Sequence, residues 1–205
     1  MKISLDHISK RFQQHWIFKE VTYTFSAPGA YALLGPNGSG KSTLLRIIAG
    51  MQGPSLGKVH YTTNDKPVGL DSIFPYISFS APGMELVEEL TLREFLEFHF
   101  SFKKPLPGLD IESIIEISGL QAAANKPIAD YSSGMKQRVK LIQAIFSDTP
   151  VLLLDEPCSN LDQQGVDQYR EWMEKYTSGR LVIIASNDVR EYFFCREILV
   201  VEDYR

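Results

Sequence analysis

The run Gly35-Pro36-Asn37-Gly38-Ser39-Gly40-Lys41-Ser42 constrains this chain more than any other feature. It fits the pattern G-x-x-x-x-G-K-[ST], follows the continuously apolar segment Ala30-Tyr31-Ala32-Leu33-Leu34, and precedes a helical pattern that Gly50 should close. A strand covered on both faces, a glycine-rich loop and a helix, in that order, are what a phosphate-binding loop requires. Glycines 35, 38 and 40 let the backbone curl so that its N–H groups face phosphate oxygens, and the helix start adds its positive dipole end. Lys41 is expected to reach the β and γ phosphates of ATP or GTP, and Ser42 to offer a hydroxyl to Mg²⁺. Asn37, Ser39 and Thr43 are expected to complete the nucleotide contacts. A ligand-free glycine-rich turn would need neither the Lys-Ser pair nor the flanking strand and helix.

The rest of the pattern extends this unit. Lys2 to Ile8 and Glu20 to Phe25 alternate polar and apolar residues, as half-buried antiparallel strands do, before the Pro28-Gly29 turn. From Pro82 to Tyr131 the character is helical. Thr91 with Glu94 forms a capping box ahead of a face of Leu92, Phe95, Leu96 and His99, and a second helix runs from Asp110 to Gly119 with Ile111, Ile114 and Ile115 inward. Val151-Leu152-Leu153-Leu154 and Leu181-Val182-Ile183-Ile184-Ala185 then read as buried parallel strands separated by a helix, and Ile198 to Val201 as the last strand.

The strand from Val151 ends in Asp155-Glu156-Pro157, at the tip where α/β sheets bind ligands. Asp155 is positioned to hold Mg²⁺ through a water, and Glu156 to polarise a water attacking the γ-phosphate. Alone the pair is also consistent with acids capping a helix after a core strand. Further upstream, Ser132, Ser133 and Gly134 open a helix with Met135, Val139, Ile142 and Phe146 on its inner stripe. Such a helix start can bind a phosphate, or simply be a capped surface helix.

Tyr131-Ser132-Ser133-Gly134-Met135-Lys136-Gln137-Arg138 resembles the signature of the ABC ATPase family, and Ser159-Asn160-Leu161-Asp162 resembles that family's D-loop. The chain is therefore identified as resembling an ABC transporter ATP-binding subunit. The resemblance implies an α/β P-loop NTPase core, a mostly parallel sheet with flanking helices, preceded by an antiparallel β layer and interrupted by a helical subdomain. A single domain over 1–205 is expected, with 1–81 and 147–205 forming the β layer and nucleotide-binding core and 82–146 the helical insertion. It further implies a head-to-tail dimer with a second such subunit, identical or paralogous, in which Ser132 and Gly134 contact the γ-phosphate held by the other protomer. Phe12, with Trp16 second, is the implied aromatic that stacks on adenine, although either also reads as a strand-pairing residue.

Two γ-phosphate sensors of the family are missing. No Gln occurs between Gln52 and Gln121, and Phe79-Ser80-Ala81-Pro82-Gly83 stands where a glutamine is expected. No His follows His99, and Ser186-Asn187-Asp188 takes the place of the switch histidine. Asn187 can donate a hydrogen bond but cannot carry a proton. Losing one such donor costs other enzymes about 3–4 kcal/mol in activation energy, so ATP turnover is expected to be slow.

Composition closes off other classes. The longest apolar runs are far short of a membrane span, which takes about 20 residues, and the N-terminus lacks a signal-peptide pattern. Cys158 and Cys195 form no disulfide or zinc pattern, and a net charge of −4 argues against a nucleic-acid partner. The resemblance then implies separate transmembrane permease subunits, with this chain cytoplasmic and peripheral at the inner face of the membrane. The alternative is a non-transport ABC switch acting on a macromolecule. A small-molecule kinase would have no use for the signature helix.

Overall fold

The computed structural model describes residues 1–205. Two sheets organise the chain. Strands β1 (Lys2–Phe12), β2 (His15–Ser26), β4 (Leu56–Thr63) and β5 (Lys66–Val68) form an antiparallel sheet in the order β2-β1-β4-β5. Strands β3 (Gly29–Leu34), β6 (Ile77–Ser80), β7 (Val151–Asp155), β8 (Leu181–Ala185) and β9 (Glu197–Val200) form a parallel sheet in the order β6-β7-β8-β3-β9. Strands β1 and β2 run longer than their alternation suggests because bulges interrupt it: register shifts separate Leu5, Ile8 and Lys10, and both His7 and Glu20 have positive φ.

Helix α1 (Lys41–Ile48) lies between the sheets, with Leu44, Leu45, Ile47 and Ile48 joining one core that also takes Val151, Leu153 and Ile183. Alternate residues of the same strands, Leu152, Leu154, Val182 and Ile184, enter a second core on the opposite face, where α4 (Ser133–Ile145) and α5 (Gln163–Tyr176) pack. Burial on both faces is why these strands read as unbroken apolar runs.

Helices α2 (Leu92–Phe102) and α3 (Ile111–Ser118) lie between β6 and α4 in sequence. Helix α2 starts with the capping box expected of Thr91 and Glu94, and α3 starts at Asp110 as expected, where the structure adds a second capping box with Ser113, and ends at Gly119 in the left-handed region. Each N-cap contributes about 1 kcal/mol. The parallel order sends the C-terminal ends of β3, β7 and β8 to one edge of the sheet, and the loops leaving those ends carry Gly35–Gly40, Glu156 and Asn187.

Candidate functional site

The phosphate loop closes on itself through few bonds. Ser39 N–H donates to the Pro36 carbonyl at 3.0 Å, while the N–H groups of Gly38 and Gly40 find no acceptor in the chain. Gly40, at φ 102°, precedes the helix, and a methyl group there would lie 2.5 Å from Ile17 Cγ2 and 2.9 Å from Phe18 Cδ1. The glycine thus lets β2 press against the loop from behind. Lys41 Nζ donates to the carbonyls of Gly35 at 2.7 Å and Pro36 at 3.3 Å, which folds its ammonium into the cradle.

A cavity of about 340 Å³ opens beside this loop, lined by Asn37, Gly38, Gly40, Lys41, Ser42 and Thr43 together with Ile17 and Glu156. Ser39 is fully buried beneath it. Ser42 Oγ donates to Asp155 Oδ1 at 2.8 Å. Burial pushes the Asp155 carboxyl above its ordinary range and the neighbouring Glu156 adds to the rise, against the Ser42 hydrogen bond and the charges of Arg46 and Lys41. Two hard oxygens, one of them a carboxylate that burial leaves under-solvated, suit a small divalent cation such as Mg²⁺. Unpaired N–H groups, a lysine and open space suit the phosphates of a nucleotide.

Glu156 sits at the mouth, exposed, with φ 41° and its N–H donating to the Ala185 carbonyl at 2.9 Å. Asn187 reaches the loop from the other side, with Nδ2 3.4 Å from Asn37 Oδ1. Ser80 lies at the end of β6 paired with Leu154, and its hydroxyl is buried without a partner. Phe12 and Trp16 are exposed on the β1–β2 hairpin beside the cations Lys10 and Arg11, and neither lines the phosphate cavity. Ile17 does, and only its adjacency to Trp16 could have suggested it from sequence.

The Ser132–Gly134 turn lies apart from this cavity. Ser132 caps α4 by accepting from Met135 N–H at 3.3 Å, and both serines are exposed. A second cavity, of about 450 Å³, joins Ser132, Ser133 and Gly134 to Arg138, Asn160 and Asp162. A methyl group on Gly134 would stand 3.0 Å from the Asn160 carbonyl, so turn and D-loop segment meet over the glycine. Sequence reasoning missed Glu191, a buried acid whose Oε1 accepts Cys158 N–H at 2.6 Å and whose carbonyl accepts the Tyr169 hydroxyl at 2.7 Å. It ties the segment after β8 to the segment after β7. Burial raises its carboxyl above the usual range.

The sequence model of the family described as ABC transporter matches residues 18–159, which includes the phosphate loop, the signature turn and the paired acids. The chain belongs to the ABC transporter family. Over 205 aligned residues this ABC protein is 34% identical to the Nod factor export ATP-binding protein I of Rhizobium johnstonii, covering 98% of this chain and 66% of that one. It is 33% identical to the sulfate/thiosulfate import ATP-binding protein CysA of a Synechocystis strain, covering 85% of this chain and 50% of the relative. The chain thus spans from half to just under two thirds of these relatives. Its fold matches the ATP-binding cassette MJ0796, solved as a dimer in a post-hydrolysis state with ADP and Pi, at TM-score 0.82 and 22% identity over 98% of this chain and 95% of that one. It also matches an ABC transporter ATP-binding protein of Pyrococcus furiosus at TM-score 0.81 and 20% identity, over 100% and 99% of the two chains.

Proposed function

We propose that this ABC protein is the ATP-binding subunit of a transporter, binding MgATP between the phosphate loop of one copy and the Ser132–Gly134 turn of a second, identical or paralogous subunit. The observation that carries this reading is the exposure of that turn beside Asn160 and Asp162, on a face separate from the phosphate cavity of its own chain. Each chain then holds half of two sites. Lys41 and the loop N–H groups bind the phosphates, Ser42 and Asp155 hold Mg²⁺, and Glu156 orients the attacking water. Phe12 or Trp16 stacks on the base.

Hydrolysis at this chain's own site is slow. Ser80 stands where an amide-bearing glutamine is expected and Asn187 where a histidine that can carry charge is expected, so neither the amide nor the positive charge is supplied to the γ-phosphate. No helix of the chain is long and apolar enough to cross a membrane; in this reading movement of a cargo falls to separate permease subunits. The chain then works at the cytoplasmic face of the membrane.

Sedimentation velocity and phosphate release with Glu156→Gln test this reading together. The variant with ATP and Mg²⁺ is expected to sediment as a dimer that ADP does not support, and to release phosphate more slowly than the parent protein. Equal release from both would remove Glu156 from catalysis, and a monomer under every condition, with or without an added paralogue, would reduce the chain to a simple nucleotide binder.

A further inference from the structure

Two side chains from outside the phosphate loop hold its tip. Asn187 Nδ2 meets Asn37 Oδ1 at 3.4 Å, and Arg205 Nη2 donates to the Gly38 carbonyl at 3.0 Å, across 167 residues of sequence. The first contact belongs to the site already described. The second brings a guanidinium to a loop whose own cation, Lys41, is bonded to the carbonyls of Gly35 and Pro36.

Sheet order puts Arg205 there. Strand β9 lies parallel to β3 with Val200 opposite Leu34, so the chain leaving β9 emerges next to the loop leaving β3. A single helical turn, Val201–Tyr204, follows. Val201 is fully buried, and Tyr204 packs against the same core, which also takes Leu33 and Leu44. At Gly35 an added methyl carbon would stand 3.6 Å from Glu202 N, so the turn lies against the start of the loop. Arg205 N–H closes the turn on the Glu202 carbonyl at 3.2 Å, and its guanidinium makes no ion pair in the chain.

Gly38 has little else to fix it. Its φ is 80°, no atom lies within 4 Å of where a Cβ would stand, and its N–H has no acceptor. A glycine so placed lets a neighbouring peptide plane rotate at small steric cost. The plane concerned joins Gly38 to Ser39. Its N–H end donates to the Pro36 carbonyl at 3.0 Å, and its carbonyl end accepts from Arg205. Arg205 is not among the residues lining the phosphate cavity, so the carbonyl it holds is turned away from that space. Rotated inward, the same oxygen would oppose phosphate oxygens of like partial charge.

We propose that Arg205 is a positioning residue for the nucleotide: by holding the Gly38 carbonyl outward, it keeps the loop tip in the form that presents N–H groups to the phosphates. The inference rests on the nucleotide site proposed above and adds a residue that acts through Gly38 rather than by touching the ligand. A hydrogen bond from an ionised donor contributes more than a neutral one. One N–H is enough for it, so lysine should serve at this position where methionine does not.

Fluorescence titration of the intact chain with N-methylanthraniloyl ATP and ADP, each with Mg²⁺, tests this. Arg205→Met should weaken both nucleotides by the same factor, about tenfold, because both place phosphates in the loop. The loss should persist in about 0.5 M KCl, where charges acting at a distance are screened. Arg205→Lys should recover most of the affinity, and the Tm of each apoprotein should match the parent's. Unchanged affinity in Arg205→Met, or a lysine variant no better than the methionine one, overturns the assignment. A loss confined to ATP, or one abolished by the salt, overturns it in favour of a charge acting on the terminal phosphate. A lowered apoprotein Tm with unaltered affinity leaves Arg205 a stability role and overturns the positioning role. A parent protein that binds neither nucleotide overturns the nucleotide reading itself, and this assignment with it.

Discussion

Ser42 and Asp155 lie 113 residues apart in sequence and 2.8 Å apart through a hydroxyl donating to a carboxylate. The contact joins the first turn of α1 to the tip of β7 and places two hard oxygen atoms at the edge of the phosphate cavity. If the pair holds Mg²⁺ as proposed, Asp155→Asn deprives the cation of the pair's one carboxylate, whereas the apoprotein loses a charge that burial already disfavours. The variant should unfold at the same temperature as the parent protein or slightly higher without ligand. Its gain in Tm on adding MgATP should disappear, while any gain from ATP in EDTA persists. Differential scanning fluorimetry with both ligands reads this directly, and an unchanged MgATP shift would remove Asp155 from the metal site.

Asn187 approaches Asn37 across the mouth of the loop, and in the proposed site it takes the place of the family's histidine. Asn187→His supplies a group that can carry charge toward the γ-phosphate without enlarging the site greatly. Phosphate release per dimer should rise by about a hundredfold or more, the scale of one oxyanion-directed donor, with KM for ATP little changed because that interaction forms mainly in the transition state. An unaltered kcat would mean that Asn187 does not face the reacting phosphate.

Gly40 and Gly38 separate steric from conformational cost. At Gly40 a methyl group would collide with Ile17 and Phe18 and the residue is held at φ 102°, while at Gly38, φ 80°, nothing lies within 4 Å. Gly38→Ala therefore carries only the left-handed backbone cost, about 1 kcal/mol. Gly40→Ala adds the displacement of β2 and should cost roughly 2 kcal/mol or more. Urea denaturation ranks the two, and Gly40→Ala should also lose ATP binding because the loop can no longer rest on β2.

What the sequence made legible was local chemistry. The phosphate loop, the Thr91–Glu94 capping box and the doubly buried strands are each fixed by residues adjacent in the chain, and each appears where its own pattern demands. Strands β4 and β6 were not legible, for opposite reasons. Along β4 only Tyr61 is buried, so no alternation survives to read. Strand β6 is wholly buried but contains Ser78 and Ser80. Ser78 is tolerated inside because Arg180 and Thr149, distant in sequence, meet its hydroxyl at 3.0 and 2.9 Å. Ile17 and Glu191 escaped for the same reason: their places beside the loop and beneath Cys158 come from how strands stack. The signature turn could be read as a motif, but the close approach of Gly134 to Asn160 that gives it a neighbour could not.

His99 supplies a pH dependence with a definite sign. Its Nε2 lies 2.9 Å from Ser147 Oγ, and burial, reinforced by the Lys103 charge, lowers its pKa from 6.5 to about 4. Between those values the unfolded chain binds the proton that the folded chain refuses, so stability from this residue is complete above about pH 6.5 and is lost as pH falls toward 4. Lys103 remains protonated throughout that range. Asp155 and Glu191 act in the opposite sense, since carboxyls raised by burial take up protons in the folded state first. Comparison with His99→Gln isolates the imidazole from that background. In urea titrations followed by tryptophan fluorescence, the parent protein should lose about 2 kcal/mol more than the variant between pH 6.5 and 4.5. Parallel stability curves for the two proteins would show that the imidazole accepts its proton without leaving its place beside Ser147.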